Sequence, residues 1–136
     1  MGDTRKPIGR LEVKSYRFES SFADARVSAE WGMLTVPENR RRPDTGAIEL
    51  SFVRFPATTS RPGHPVLFLA GGPGQSGVEF ARGSHFPLFM SLRDVGDVIA
   101  LDQRGTGSSR PRLLCGSDGF RMPPDRPAVR EQALDL

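Results

Sequence analysis

The stretch Val66-Leu67-Phe68-Leu69-Ala70-Gly71-Gly72-Pro73-Gly74-Gln75-Ser76-Gly77 decides how this chain is to be read. Its first five residues are apolar without interruption and follow Pro65, which predicts a strand covered on both faces inside a sheet. The glycines behind it predict a loop whose backbone can approach another group with no Cβ in the way. Downstream, residues 86–92 carry Phe86, Leu88, Phe89, Met90 and Leu92, the pattern of a short helix. Val98-Ile99-Ala100-Leu101 then reads as a second buried strand, ending at Asp102 and a loop over 103–109. Strand, loop, helix and strand make a βαβ unit, whose crossover is right-handed in nearly all proteins.

Upstream, residues 31–36 are apolar or β-branched and are stopped by Pro37. A polar turn over 38–45 separates them from a second run over 48–55, containing Leu50, Phe52 and Val53. Two such runs around a turn predict a β-hairpin, so the sheet should be mixed. Before it, Glu12, Lys14 and Arg17 alternate with Val13, Tyr16 and Phe18, as in an exposed strand or an extended arm. Beyond Arg110 prolines and glycines break regular structure, until Asp125 offers a cap for a helix near Pro127 running through Val129, Ala133 and Leu134. The sequence stops about two turns later, in mid-pattern, as a truncated chain or a frayed natural terminus would. The expected organisation is an arm or exposed strand over 1–29, a core over 30–115, and a Pro/Gly-rich tail with the start of a helix over 116–136.

The chain has 136 residues and a net charge of +3, to which the run Arg40-Arg41-Arg42 contributes much. That run lies between Pro37 and Pro43 and reads as a solvated turn; no aromatic residue is interleaved to stack on bases, which speaks against nucleic acid as a partner. The single cysteine, Cys115, can make neither an internal disulfide nor a metal site. Residues 1–18 have no continuous apolar core, Lys6 breaks the myristoylation pattern, and no window has the length of a membrane span. The expectation is a soluble, cytoplasmic protein without membrane contact.

Several chemistries use a glycine-rich loop after a buried strand. The phosphate-binding P-loop fails, because no Gly-Lys-Ser/Thr closes the segment. The dinucleotide fingerprint fits in letters: Gly72, Gly74 and Gly77 match G-x-G-x-x-G, and Asp102 would grip a ribose hydroxyl. Against it, Gly77, Gly83 and Pro87 are expected to delay the helix that the pyrophosphate needs, and Pro73 removes a backbone donor. Acyl transfer uses the glycines better. It needs backbone N–H groups aimed at the oxygen that turns negative in the tetrahedral intermediate, and one such donor can come from the loop after a strand.

Three segments carry a resemblance. Leu69-Ala70-Gly71-Gly72-Pro73-Gly74-Gln75-Ser76 resembles the His-Gly-Gly-Pro-Gly loop of the proline iminopeptidase and tripeptidyl aminopeptidase branch of α/β-hydrolases. Residues 98–109, ending Asp102-Gln103-Arg104-Gly105-Thr106-Gly107-Ser108-Ser109, resemble that branch's next strand and loop. Trp31-Gly32-Met33-Leu34-Thr35-Val36-Pro37-Glu38-Asn39-Arg40 resembles its opening strand. The three occur in the family's order. Ala70 stands where many members have His, and Trp31 where exported members often have Cys, leaving Cys115 unpaired as suits a reducing compartment.

The resemblance implies an α/β protein with an incomplete α/β-hydrolase fold: an N-terminal β-hairpin plus a βαβ unit in a mixed sheet. It implies an oxyanion loop at Gly71, Gly72, Pro73 and Gly74, and an active-site wall at Asp102, Gln103, Arg104 and Gly105. The family's Gly-x-Ser-x-Gly nucleophile is missing: in Gly74-Gln75-Ser76-Gly77 the trailing glycine comes one place early, and Ser108 also fails. Ser76 and Ser108 therefore read as loop residues bonding nearby backbone. His64 and His85 read as loop residues, and Asp102 as a residue tying down its own loop. No catalytic residue is assigned.

The expected function is the N-terminal fragment of a serine peptidase of the aminopeptidase type, inactive alone. In full length it would act through an acyl-enzyme on a peptide or a small ester or amide, with no cofactor and no metal. The alternatives are a non-catalytic binding module reusing the hydrolase sheet and a dinucleotide-binding protein. Expressed alone, the fragment should be marginally stable or insoluble.

Overall fold

Strand structure starts earlier than the apolar runs alone suggest. A computed structural model describes residues 7–114; Cys115 and the helix expected near Pro127 lie outside the described residues. Strand β1 (Leu11–Ser20) and strand β2 (Ala25–Pro37) pair antiparallel from Leu11↔Leu34 to Ser20↔Ala25, and β2 pairs with β3 (Ala47–Phe55). The expected hairpin is thus β2–β3, with one more strand in front of it. The charged residues of β1 alternate with Tyr16 and Phe18, and Phe18 is fully buried. A strand that alternates in this way packs one face and wets the other.

Strand β4 (Val66–Leu69) is followed by helix α1 (Gly77–Arg82), helix α2 (Phe86–Leu92) and strand β5 (Val98–Leu101). The β4–β5 pair is parallel, and β5 joins β3 antiparallel, giving a five-stranded mixed sheet in the order β1-β2-β3-β5-β4. This is the α/β arrangement expected from the incomplete hydrolase pattern. Both helices cover the same face. There Phe18, Phe55, Phe86 and Phe89 meet Val53, Val98 and Ala100, with Phe18 and Phe55 edge-on at 4.8 Å and Phe68 and Phe89 at 5.0 Å. Each buried phenylalanine contributes about 1.5–3 kcal/mol relative to exposure.

Strand β4 departs from the expectation of burial on both sides. Phe68 points into the core, but Leu67 and Leu69 remain 55% and 51% exposed, because among the described residues no element covers the second face. Helix α1 is also new. It starts at Gly77, capped by the Ser76 hydroxyl accepting from the Glu79 amide at 3.1 Å.

At its far end α1 is fastened to β1 through Arg82. The guanidinium donates to the Glu19 carbonyl at 2.8 Å and to the Tyr16 hydroxyl at 3.4 Å, pairs with Glu79, and lies 4.8 Å from the Phe18 ring centre. Burial works against its charge, but the contacts with Tyr16 and Glu79 outweigh it and raise the pKa, so the cation persists. Replacing Arg82 with Ala is expected to cost about 1–3 kcal/mol. Urea unfolding followed by the fluorescence of Trp31, the only tryptophan, measures it; an unchanged midpoint would show that the anchor is idle.

Candidate functional site

Parallel neighbours end at the same side of a sheet, and ligands of open α/β sheets bind just beyond those carboxyl ends. The loops after β4 and β5 are therefore brought side by side by topology alone. Residues 71–74 form an exposed turn at the end of β4. Gly72 and Gly74 have φ of +133° and +84°, which only glycine adopts easily, and the Gly72–Pro73 peptide is cis. A Cβ on Gly71 or Gly74 would meet nothing within 4 Å, so this backbone faces open space.

Asp102 lies beneath both loops and is 1% exposed. One carboxylate oxygen accepts from the Ser76 hydroxyl at 2.5 Å and the Val78 amide at 3.2 Å. The other accepts from the Ser51 hydroxyl at 3.1 Å and the Ser108 amide at 2.9 Å. One side chain thus joins the start of α1, the loop after β5 and the middle of β3. A Cβ at Gly107, whose φ is +51°, would collide with this carboxylate. Ser109 adds a second stitch: its hydroxyl donates to the Asp102 carbonyl at 2.6 Å and accepts from the Ser51 amide at 2.9 Å.

The expected site residues now have places. Gly71, Gly72, Pro73 and Gly74 are exposed together in one turn. Of the expected wall, Gln103 and Gly105 are half-buried and Arg104 is exposed, donating to the Glu38 carbonyl at 3.1 Å, whereas Asp102 lies underneath. A depression lined by Gln75, Ser76, Glu79, Phe80, Ser84 and His85 runs from the glycine turn along α1. Ser76 is engaged with Asp102 and Glu79. Among the described residues neither His64 nor His85 hydrogen-bonds a serine, and no cluster of three His, Cys, Asp or Glu side chains could hold a metal ion.

One expectation about the glycines is corrected. The helix is not delayed by Gly77 but begins there, because Ser76 caps it and because Gly77 permits α1 to lie against Leu101 of β5. Asp102 nonetheless has its carboxylate filled by four protein donors, which removes the ribose ligand that the dinucleotide fingerprint requires. The Ser51, Ser76, Ser109 and Asp102 network went unread in the sequence. Ser76-Gly77-Val78-Glu79 does have the spacing of a capping box, and that signal could have located α1.

No family model matches the chain. It is similar to serine protease Hip1 of Mycobacterium tuberculosis, 41% identical over 87 residues, which is 64% of this chain and 16% of that protein. It is also similar to the putative hydrolase YuaR of Escherichia coli, 32% identical over 93 residues, 62% of this chain and 18% of that protein. A third relative, carboxylesterase B of Mycobacterium tuberculosis, is 30% identical over 96 residues, 67% of this chain and 18% of that protein. The chain spans less than a fifth of the length of these relatives. They are named as a serine protease, a putative hydrolase and a carboxylesterase, and at this partial coverage the likeness suggests an α/β-hydrolase-type family.

Proposed function

We propose that this chain is the front part of a serine hydrolase of the aminopeptidase type, with Gly71, Gly72, Pro73 and Gly74 shaping its oxyanion loop and Gln103, Arg104 and Gly105 walling the site. The observation that carries this reading is an exposed glycine turn at the carboxyl end of a parallel strand, braced from behind by a buried carboxylate. A turn held in advance of the reaction can present backbone N–H groups without reorganising when charge develops, which is where such loops gain their effect. The relatives named serine protease and carboxylesterase support acyl transfer in general. The loop motifs, through their resemblance to the aminopeptidase branch, support a peptide with a free N-terminus as substrate. The nucleophile, acid and base belong to sequence beyond these segments, so the 136-residue chain is inactive alone.

The test uses the whole reading frame to which the chain belongs. A Gly-x-Ser-x-Gly elbow further along, labelling of its serine by a fluorophosphonate, and hydrolysis of unblocked peptide amides are the expected results. Hydrolysis of esters alone would overturn the aminopeptidase reading, and labelling of Ser76 or Ser108 in the isolated chain would overturn the fragment reading. In the active protein Gly72→Ala is expected to lower kcat by about 10²–10³-fold with KM little changed. Its Cβ would lie 2.7 Å from Gln75 Cγ and force φ near +133° on an L-residue. Wild-type kcat in this variant would take Gly72 out of the site.

A further inference from the structure

The end of the sheet that carries the glycine turn is edged by arginines. Strand β3 runs antiparallel to β5, so the β2–β3 turn over 38–46 lies at the same end as the loops after β4 and β5. That turn presents Arg40, Arg41 and Arg42, all exposed. The loop over 103–114 adds Arg104, Arg110 and Arg112, also exposed, and contains no acidic residue. The two segments are fastened together. Arg104 donates to the Glu38 carbonyl at 3.1 Å, and the Arg110 amide and carbonyl bond to Glu49 of β3 at 2.8 and 2.9 Å.

Elsewhere Arg10, Arg26, Arg54 and Arg82 each have a carboxylate partner. Among the described residues no carboxylate pairs with Arg40, Arg41, Arg42, Arg104 or Arg112, although Glu38 and Asp44 stand in the same turn. The turn is held in shape: the Asn39 side chain accepts from the Arg41 amide at 2.9 Å, and the Thr45 hydroxyl donates to the Arg42 carbonyl at 2.8 Å. Like charges kept together in this way attract anions to the rim. Guanidinium forks take carboxylates through two bonds at once, so acidic side chains match them. Neither loop has an aromatic residue on which a nucleic-acid base could stack.

An enzyme that trims an N-terminus holds only the first residues of its substrate at the reacting bond, and the rest of the polypeptide lies across the surface beside it. Strand β3 is two steps from β4, about 10 Å at the usual strand spacing. An extended peptide covers that distance in about three residues. We infer that the arginine rim selects peptides carrying Asp or Glu about three to six residues beyond the cleaved bond. The inference rests on the aminopeptidase reading and names the substrate class of that same site.

The experiment uses the protein of the whole reading frame and two unblocked peptides, identical except for Glu or Gln at those positions. The Glu peptide is expected to have a kcat/KM roughly tenfold or more higher at low salt. The gain should lie in KM, because the contact is remote from the reacting atoms. At about 1 M salt, where screening acts within about 3 Å, the ratio should fall toward one. It should fall likewise in Arg40→Gln/Arg41→Gln/Arg42→Gln, with hydrolysis of the Gln peptide as the internal reference. Arg61→Gln, at an exposed position between β3 and β4 and at the opposite end of the sheet, should leave the ratio alone. Equal hydrolysis of the two peptides, or a preference that survives high salt or the triple substitution, would overturn the inference. So would attachment to phosphatidylglycerol vesicles through the same arginines with no preference between peptides, which would assign the rim to a membrane surface. If neither peptide is cleaved but a fluorescein-labelled Glu peptide binds with the same dependence on Arg40, Arg41 and Arg42, the aminopeptidase reading fails and the acidic-peptide surface stands.

Discussion

Replacing Asp102 with Ala is expected to cost this chain on the order of 4 kcal/mol and to leave it without a folded baseline. The four donors around the carboxylate do not suffer equally. The Ser51 and Ser76 hydroxyls can rotate toward other acceptors, but the Val78 and Ser108 amides are fixed in backbone and lose their only acceptor in that pocket. The orphaned, buried Val78 amide costs about 1–3 kcal/mol, the Ser108 amide, whose bond is only part-buried, less because water can reach it, and the emptied volume adds a cavity term. Asp102→Asn keeps one accepting oxygen and turns the other end into a donor, so it should lose about 1–3 kcal/mol. The readout is urea unfolding by Trp31 fluorescence, with soluble yield for variants too unstable to titrate. Because Ser76 and Asp102 share a bond, the loss in Ser76→Ala/Asp102→Ala should be less than the sum of the single losses. Additive losses, or a stable Asp102→Ala chain, would mean that the carboxylate does not hold the loops.

The same residue marks the limit of what the sequence discloses. Runs of apolar residues bounded by breakers located β3, β4, α2 and β5 within a residue or so, because burial and chain stiffness act locally and leave a periodic trace. The glycine turn was legible for a similar reason: only glycine tolerates the φ of positions 72 and 74. What could not be seen was which side chains meet. Ser51, Ser76, Asp102 and Ser109 are separated by up to 58 positions and converge only because β3 and β5 are neighbours in the sheet. The bareness of Leu67 and Leu69 was hidden as well. An apolar strand with two faces looks the same in sequence whether or not the element that covers its second face is present. The first half of β2 was missed because Arg26, Ser28 and Glu30 face solvent or ion pairs and dilute its apolar signal.

Gly77→Ala is expected to destabilise the chain by about 3 kcal/mol or more, against the sign that helix propensity alone requires. Within a helix Ala is favoured over Gly by about 1 kcal/mol, so a freely exposed first turn would gain from the change. Here the added Cβ would fall on the Leu101 carbonyl oxygen, with the Leu101 carbon and nitrogen 3.0 and 3.1 Å away. All three atoms are backbone of β5 and cannot swing aside, so α1 must lift from the sheet. Lifting it draws Val78 and Ala81, both buried, out of the core and pulls the Val78 amide from Asp102. Overpacking of this kind costs about 1–3 kcal/mol, and the loosened core and hydrogen bond add to it. Gly83→Ala at the other end of α1 is the control. It has φ of −85° and ordinary contacts of 3.6 and 3.8 Å, so the substitution should be neutral or stabilise by up to about 1 kcal/mol. Urea midpoints moving in opposite directions for the two variants would locate the close approach at Gly77. Equal and favourable shifts would mean that α1 does not touch β5, and the glycine turn would then lose its support from the sheet.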